Sequence, residues 1–144
     1  MTNARDLVGQ TEIQLAEASY HRCASNDAFY TTLYEHLLAS DPRIPPMFAK
    51  TSFERQHKVL RHGLGVLIIY AKRPNPALLE RIAVRHSRGD VDVPAELYEC
   101  FVESLVAAVT AHDPEYRPEI AAAWRVAMEP GIAFMKSKYE GGAA

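Results

Sequence analysis

One of the six histidines in this 144-residue chain stands where an imidazole could do chemistry. In the stretch LLERIAVRHSRGDVDVP, from Leu78 to Pro94, the positions Leu79, Ile82, Ala83 and His86 recur at helical spacing. One stripe of a short helix is therefore apolar and ends in an imidazole. Ser87, Arg88, Gly89 and Asp90 then break the helix, and Pro94 is expected to open the next one where no N–H is needed. A buried histidine at such a helix end can offer a neutral ring nitrogen to a metal inside a helical core. That is what a haem protein needs on the proximal side of its iron. The competing reading is a core histidine bonded to a carbonyl. The other histidines lack this setting: His21 and His36 fall on helices that need a wet face, His57 and His62 share a longer helix, and His112 sits in a turn.

The elements that must position this residue are all helical. Ile13, Leu15, Ala16, Ala18, Ser19 and Tyr20 suit a first helix over residues 10–23, preceded by a loose leader over 1–9. Ser25, Asn26 and Asp27 are turn and cap residues before a second helix over 28–39, with Phe29, Leu33, Leu37 and Leu38 on one face. The segment PRIPPMF is too rich in proline for a regular α-helix and reads as a short turn and corner that delivers Phe48. Thr51 and Ser52 can cap a long helix over 53–70, whose inner stripe is Phe53, Gln56, Leu60, Gly63, Leu64 and Leu67. Pro74 and Pro76 precede the His86 helix over 77–86. A further helix runs from Pro94 to about 111, and the last covers 118–139, with Pro130 inside it, before a frayed tail over 141–144. Six or seven helices of unequal length fit an irregular orthogonal packing around a pocket better than an even four-helix bundle.

Composition sets the outer limits. A hydrophobic share of 48% and a charged share of 24% are ordinary for one globular domain. A net charge of −2 gives no global pull toward nucleic acid or an anionic membrane. The longest apolar run, Gly63–Ala71, is 9 residues and cannot span a bilayer. The N-terminus has no apolar signal core, so a cytoplasmic protein is expected. Cys23 and Cys100 have neither metal-site nor disulfide-framework spacing and read as reduced core fillers.

The pieces SYHRC, LYEHLLASDPRIPPMF, TSFERQHKVL, AVRHSRGDVDVP and AWRVAMEPGIAFMKSKY, in that order and spacing, resemble the globins over roughly residues 10–140. The chain looks most like bacterial single-domain globins and the globin part of haem-based sensors. The resemblance implies a globin-like all-α fold around a haem b pocket, with His86 as the proximal iron ligand. Phe48 matches the phenylalanine that stacks on the haem plane, 38 positions before His86, and Tyr34, 14 positions before Phe48, matches a distal tyrosine. Gln56 matches the distal residue of the long helix, with Leu60 one turn on, and Val93 and Pro94 match the pair after the proximal turn. Tyr98 is counted with the residues that line the cofactor. Tyr139, 53 positions after His86, matches a tyrosine that bonds back to that turn. Tyr30 is a rival for Tyr34 and His57 for Gln56, since a one-residue shift of the helix would exchange the latter pair. Arg85, Arg88 and Lys58 are candidates for the haem carboxylates, with a solvated charge as the alternative for each.

These residues imply binding of dioxygen, and also nitric oxide or carbon monoxide, at an iron with one open position. Hydroxyl and amide donors from Tyr34 and Gln56 favour tight dioxygen binding. Nitric-oxide oxidation would need an external reductant, because no flavin or nicotinamide domain is expected after residue 144. Lys136 stands where flavohaemoglobins carry a glutamate, with Glu140 beyond it. The alternative is a dimeric gas or redox sensor that pairs through its last two long helices and signals to a partner. An exposed apolar stripe on Leu97–Ala111 or Pro118–Met135 would support that role.

Overall fold

The computed structural model describes the backbone of residues 4–87 and 91–139, with side chains from Gln10 onward. The turn residues Arg88, Gly89 and Asp90, the start of the expected leader, and the tail from Glu140 lie outside the described residues.

Short polar side chains set the helix starts. Asn26 caps α2 (Asp27–Ser40) by accepting from the Ala28 N–H at 3.0 Å. Ser52 caps α3 (Phe53–Lys72) through the Arg55 N–H at 3.4 Å. Asn75 caps α4 (Pro76–Arg85) through the Ala77 N–H at 3.1 Å, with Pro76 in the first turn. A 3-10 helix, Pro45–Phe48, forms the proline corner. With α1 (Ala4–Cys23), α5 (Leu97–His112) and α6 (Pro118–Ser137), the chain is all-helical, and no strand occurs among the described residues.

Three boundaries and one burial differ from expectation. The first helix starts at Ala4, because nothing in residues 4–9 breaks it. Pro94 does not open α5. The Leu97 N–H bonds the Pro94 carbonyl, and a full turn precedes the helix. Phe53 is 47% exposed, since the first residue of α3 projects past the packed face. The last helix stops at Ser137 and leaves Tyr139 in a turn.

The helices cross in two groups. Pair by pair, α2 packs mainly on α5, and α1 on α6, while α3 and α4 both lean on α6. Two glycines permit the closest approaches. A Cβ at Gly65 would stand 3.1 Å from the hydroxyl of Tyr20, which donates to the Arg61 carbonyl across the α1–α3 crossing. A Cβ at Gly131 would collide with Leu67, so that glycine is what lets α6 lie against α3.

One polar cluster stitches the apolar interior. Asp113, just past α5, is 5% exposed and takes a two-pronged bond from Arg22 at 2.7 and 2.8 Å. It also accepts from the Ser19 hydroxyl at 2.6 Å and the Glu115 N–H at 2.9 Å. The indole N–H of Trp124, itself fully buried, donates to Ser19 at 2.9 Å. Burial pushes the Asp113 carboxyl up, but the Arg22, Ser19 and Glu115 donors outweigh it and hold it below the usual carboxylate range. Beside it, burial raises the Cys23 thiol to about 11, which keeps it an inert filler.

A carboxylate whose folded pKa is depressed contributes stability above its unfolded value of about 3.9 and loses it as pH falls through the folded value. Asp113→Asn is expected to destabilise the fold by about 2–3 kcal/mol near neutral pH, toward the lower end for a broken buried pair because Arg22 keeps some contact with water. The loss should shrink below about pH 4. Urea unfolding followed by the fluorescence of Trp124, the one tryptophan, measures both.

Candidate functional site

A cavity of about 300 Å³ opens between α2, α3, α4, α5 and the proline corner. Its floor is apolar, from Leu33 and Leu37 of α2, Leu64 and Leu67 of α3, and Met135 of α6. All seven residues expected in the site line this one space: Tyr34, Phe48, Gln56, Leu60, His86, Val93 and Tyr98.

His86 follows directly after α4. Its backbone N–H bonds the Ile82 carbonyl at 3.0 Å, and its ring Nδ1 lies 2.8 Å from the same oxygen. A carbonyl can only accept, so Nδ1 carries a proton, and in the neutral ring Nε2 is left with the lone pair. The two readings of His86 are therefore compatible, because the carbonyl bond prepares the other nitrogen to act as a ligand. The chain then turns back on α4. The N–H groups of Val91, Asp92 and Val93 bond the carbonyls of Arg85, Ser87 and His86 at 3.0, 2.9 and 3.0 Å. These satisfy carbonyls that a helix end would otherwise leave unpaired. Asp92 adopts a left-handed φ of 59°, which aspartate tolerates better than most residues, and its carboxylate accepts from the Tyr139 hydroxyl. Tyr139 thus ties the turn after α6 to the turn behind His86, as the family resemblance implied.

On α2, Tyr34 is 5% exposed and its hydroxyl donates to Gln56, at 3.2 Å to the main-chain oxygen and 3.3 Å to Oε1. Phe48 meets the Tyr34 ring edge-on, 5.6 Å between centroids. The rivals fall elsewhere. Tyr30 gives its hydroxyl to the Ala24 carbonyl at 2.7 Å and does not line the cavity. His57 stacks behind Tyr34 and does not line it either. Of the three cation candidates, Arg85 lines the cavity, Lys58 is exposed on α3 away from it, and Arg88 lies outside the described residues. Thr51, Val59 and Val91 also line the cavity, although the sequence does not mark them. Val59 is 54% exposed at the mouth, so no periodicity assigns it inward.

Three cavity-side or adjacent tyrosines are shifted by burial alone or chiefly by burial. Tyr30 and Tyr98 are pushed up to about 12, and Tyr34 higher still. Each stays a neutral donor at any physiological pH. Among the described residues, no cluster of three His, Cys, Asp or Glu side chains could hold a bare metal ion. Haem would itself bring the in-plane ligands of an iron at His86. An apolar slot with one tautomer-fixed imidazole and an aromatic wall fits haem on those terms.

A globin family model matches residues 31–134, and the chain belongs to the globin family, whose members are haem-binding proteins. A crystal structure from Pseudomonas aeruginosa, of a protein described as structurally highly homologous to a human haemoglobin, superposes with a TM-score of 0.86. It is 36% identical, and the match covers 90% of this chain and 98% of that one. No curated protein matches the sequence.

Raised tyrosine values carry a stability signature. The unfolded chain ionises these phenols near pH 10 while the fold keeps them neutral, so their contribution is complete below about pH 10 and falls as pH rises. With three such groups, stability should fall by up to about 4 kcal/mol per pH unit between about pH 10 and 12. Tyr34→Phe should remove roughly a third of that slope. Urea midpoints at stepped alkaline pH test this.

Proposed function

We propose that this globin binds haem b through His86 and holds a diatomic gas, dioxygen above all, against donors from Tyr34 and Gln56. The observation that supports it most is the meeting of Tyr34 and Gln56, 3.3 Å apart, on the wall of the cavity that His86 lines. When bound, haem supplies an iron that takes a gas at the position the imidazole does not fill. The Ile82 carbonyl holds the His86 ring against rotation and places the neutral ring's one proton on Nδ1, so that Nε2 is the atom that would bind iron. Burial keeps the Tyr34 proton on its oxygen. That proton rests on Gln56 and swings to a ligand that attracts it more. With Gln56 Oε1 on the Tyr34 side, the NH₂ end of the amide is the second donor. Phe48, Leu60, Val93 and Tyr98 complete the wall and exclude water.

A hydrogen bond to a group that gains negative charge is worth about 1.5–3 kcal/mol, and each ~1.4 kcal/mol is tenfold. The pair of donors therefore favours slow dioxygen release and discriminates against carbon monoxide, which accepts hydrogen bonds poorly. Tight holding suits nitric-oxide detoxification or gas sequestration in the cytoplasm better than delivery. Such turnover would draw its electrons from an external reductant, and Lys136 is exposed where the resemblance places a glutamate in flavohaemoglobins. The alternative of a sensor dimer through α5 and α6 loses its support. Among the described residues, the large exposed apolar side chains are Phe53, Val59, Ile69, Leu78 and Val84, all on α3 and α4.

The purified protein, supplied with haem, should show a haem absorption spectrum that shifts on reduction with dithionite, and His86→Ala should lose it. Tyr34→Phe should release dioxygen about tenfold faster or more, with carbon monoxide release changed by less than about threefold. Unchanged dioxygen release would remove Tyr34 from the role.

A further inference from the structure

Three rings pack on Tyr34, and one differs from the others. Phe48 and Phe53 meet it edge-on, with centroids 5.6 and 5.8 Å away. His57 lies parallel to it, 5.9 Å away with the planes 6° apart. The same imidazole meets the ring of Tyr30 at 5.5 Å, so two buried tyrosines of α2 bracket it. His57 is half-buried and sits behind Tyr34, off the cavity wall. Among the described residues no hydrogen bond engages its ring nitrogens, and neither nitrogen is sealed from solvent. A histidine so placed can exchange its proton with water while touching the distal tyrosine.

We propose that His57 is a positioning residue for Tyr34 whose protonation tunes it: the stacked ring holds the phenol over Gln56, and the imidazolium form makes the Tyr34 hydroxyl a stronger donor. Gas release then slows as pH falls. The proposal rests on Tyr34 being the donor to the gas. A cation within about 6 Å of an aromatic centroid is attracted to the ring face, and its field favours negative charge on the phenol oxygen. A ligand that gains negative charge profits more from the sharpened donor than the neutral Gln56 carbonyl does. The charges around His57 are mixed. On α3, Glu54 and Arg61 share its helix face at three and four residues, and Lys58 adjoins it. On α2, Asp27 lies one turn before Tyr30, and on α1, Tyr20 bonds the Arg61 carbonyl. Histidine is the side chain whose charge changes between about pH 5 and 8.

The test measures dioxygen and carbon monoxide release between about pH 5.5 and 8 in the haem-loaded parent, His57→Phe and Tyr34→Phe, a window set by histidine titration. Dioxygen release in the parent should be about two- to fivefold slower at the acid end, with carbon monoxide release flat. His57→Phe keeps a stacked ring but no titrating nitrogen, and its profile should be flat. In haem-free protein labelled with ¹³C-tyrosine, the Tyr34 ζ-carbon shift should follow the His57 titration and lose that step in His57→Phe. A flat parent profile, or a pH step that survives in His57→Phe, overturns the proposal. If Tyr34→Phe releases dioxygen faster while the parent is flat, only the His57 role falls. If Tyr34→Phe changes nothing, the donor reading falls and takes this proposal with it.

Discussion

The Ile82 carbonyl accepts two bonds from one residue, the backbone N–H and the ring Nδ1–H of His86. On that single oxygen the site depends. A side chain on the last turn of a short helix would otherwise sample several rotamers and either tautomer. Here the helix fixes the carbonyl, the carbonyl fixes the ring, and the ring presents Nε2. The return of residues 91–93 onto α4 protects the arrangement from the other side. It occupies the carbonyls of the helix end, so the chain has no cheap way to unwind there. Tyr139 then clamps Asp92, the one described residue outside glycine in the left-handed region.

The other wall is built differently. Tyr34 comes from α2, Gln56 from α3 and Phe48 from the proline corner, so their meeting depends on three helix crossings rather than on one local bond. Gly131 sets the neighbouring α3–α6 crossing by letting Leu67 approach α6. A stack of aromatic rings fills the remaining freedom around Tyr34. One wall is thus determined by short-range geometry and the other by packing.

That division explains what could be read from the chain. The helix starts are local, and Asn26 and Ser52 each cap where their type suggests. His86 is also marked by a local pattern, an apolar stripe ending at a break. The Tyr34 wall needed a family resemblance, because nothing near Tyr34 in sequence distinguishes it from Tyr30. Only the fold shows that the Tyr30 hydroxyl is spent on Ala24. Periodicity failed where position along an element overrides it. Phe53 keeps the helical phase of an inner residue but stands at the end of α3, and Pro94 has the residue type of a helix start but lies in the extended return from His86. The cluster of Ser19, Arg22, Asp113 and Trp124 gave no signal, as its members lie up to 105 positions apart.

None of those four residues touches the cavity. Arg22 and Asp113 tie the end of α1 to the end of α5, and Trp124 adds α6, through bonds that are complete before any cofactor arrives. The molecule therefore has a keel and a hold. The keel fixes α1, α5 and α6 on one another without any contribution from the cavity, so whatever fills the hold is not what holds these three helices together.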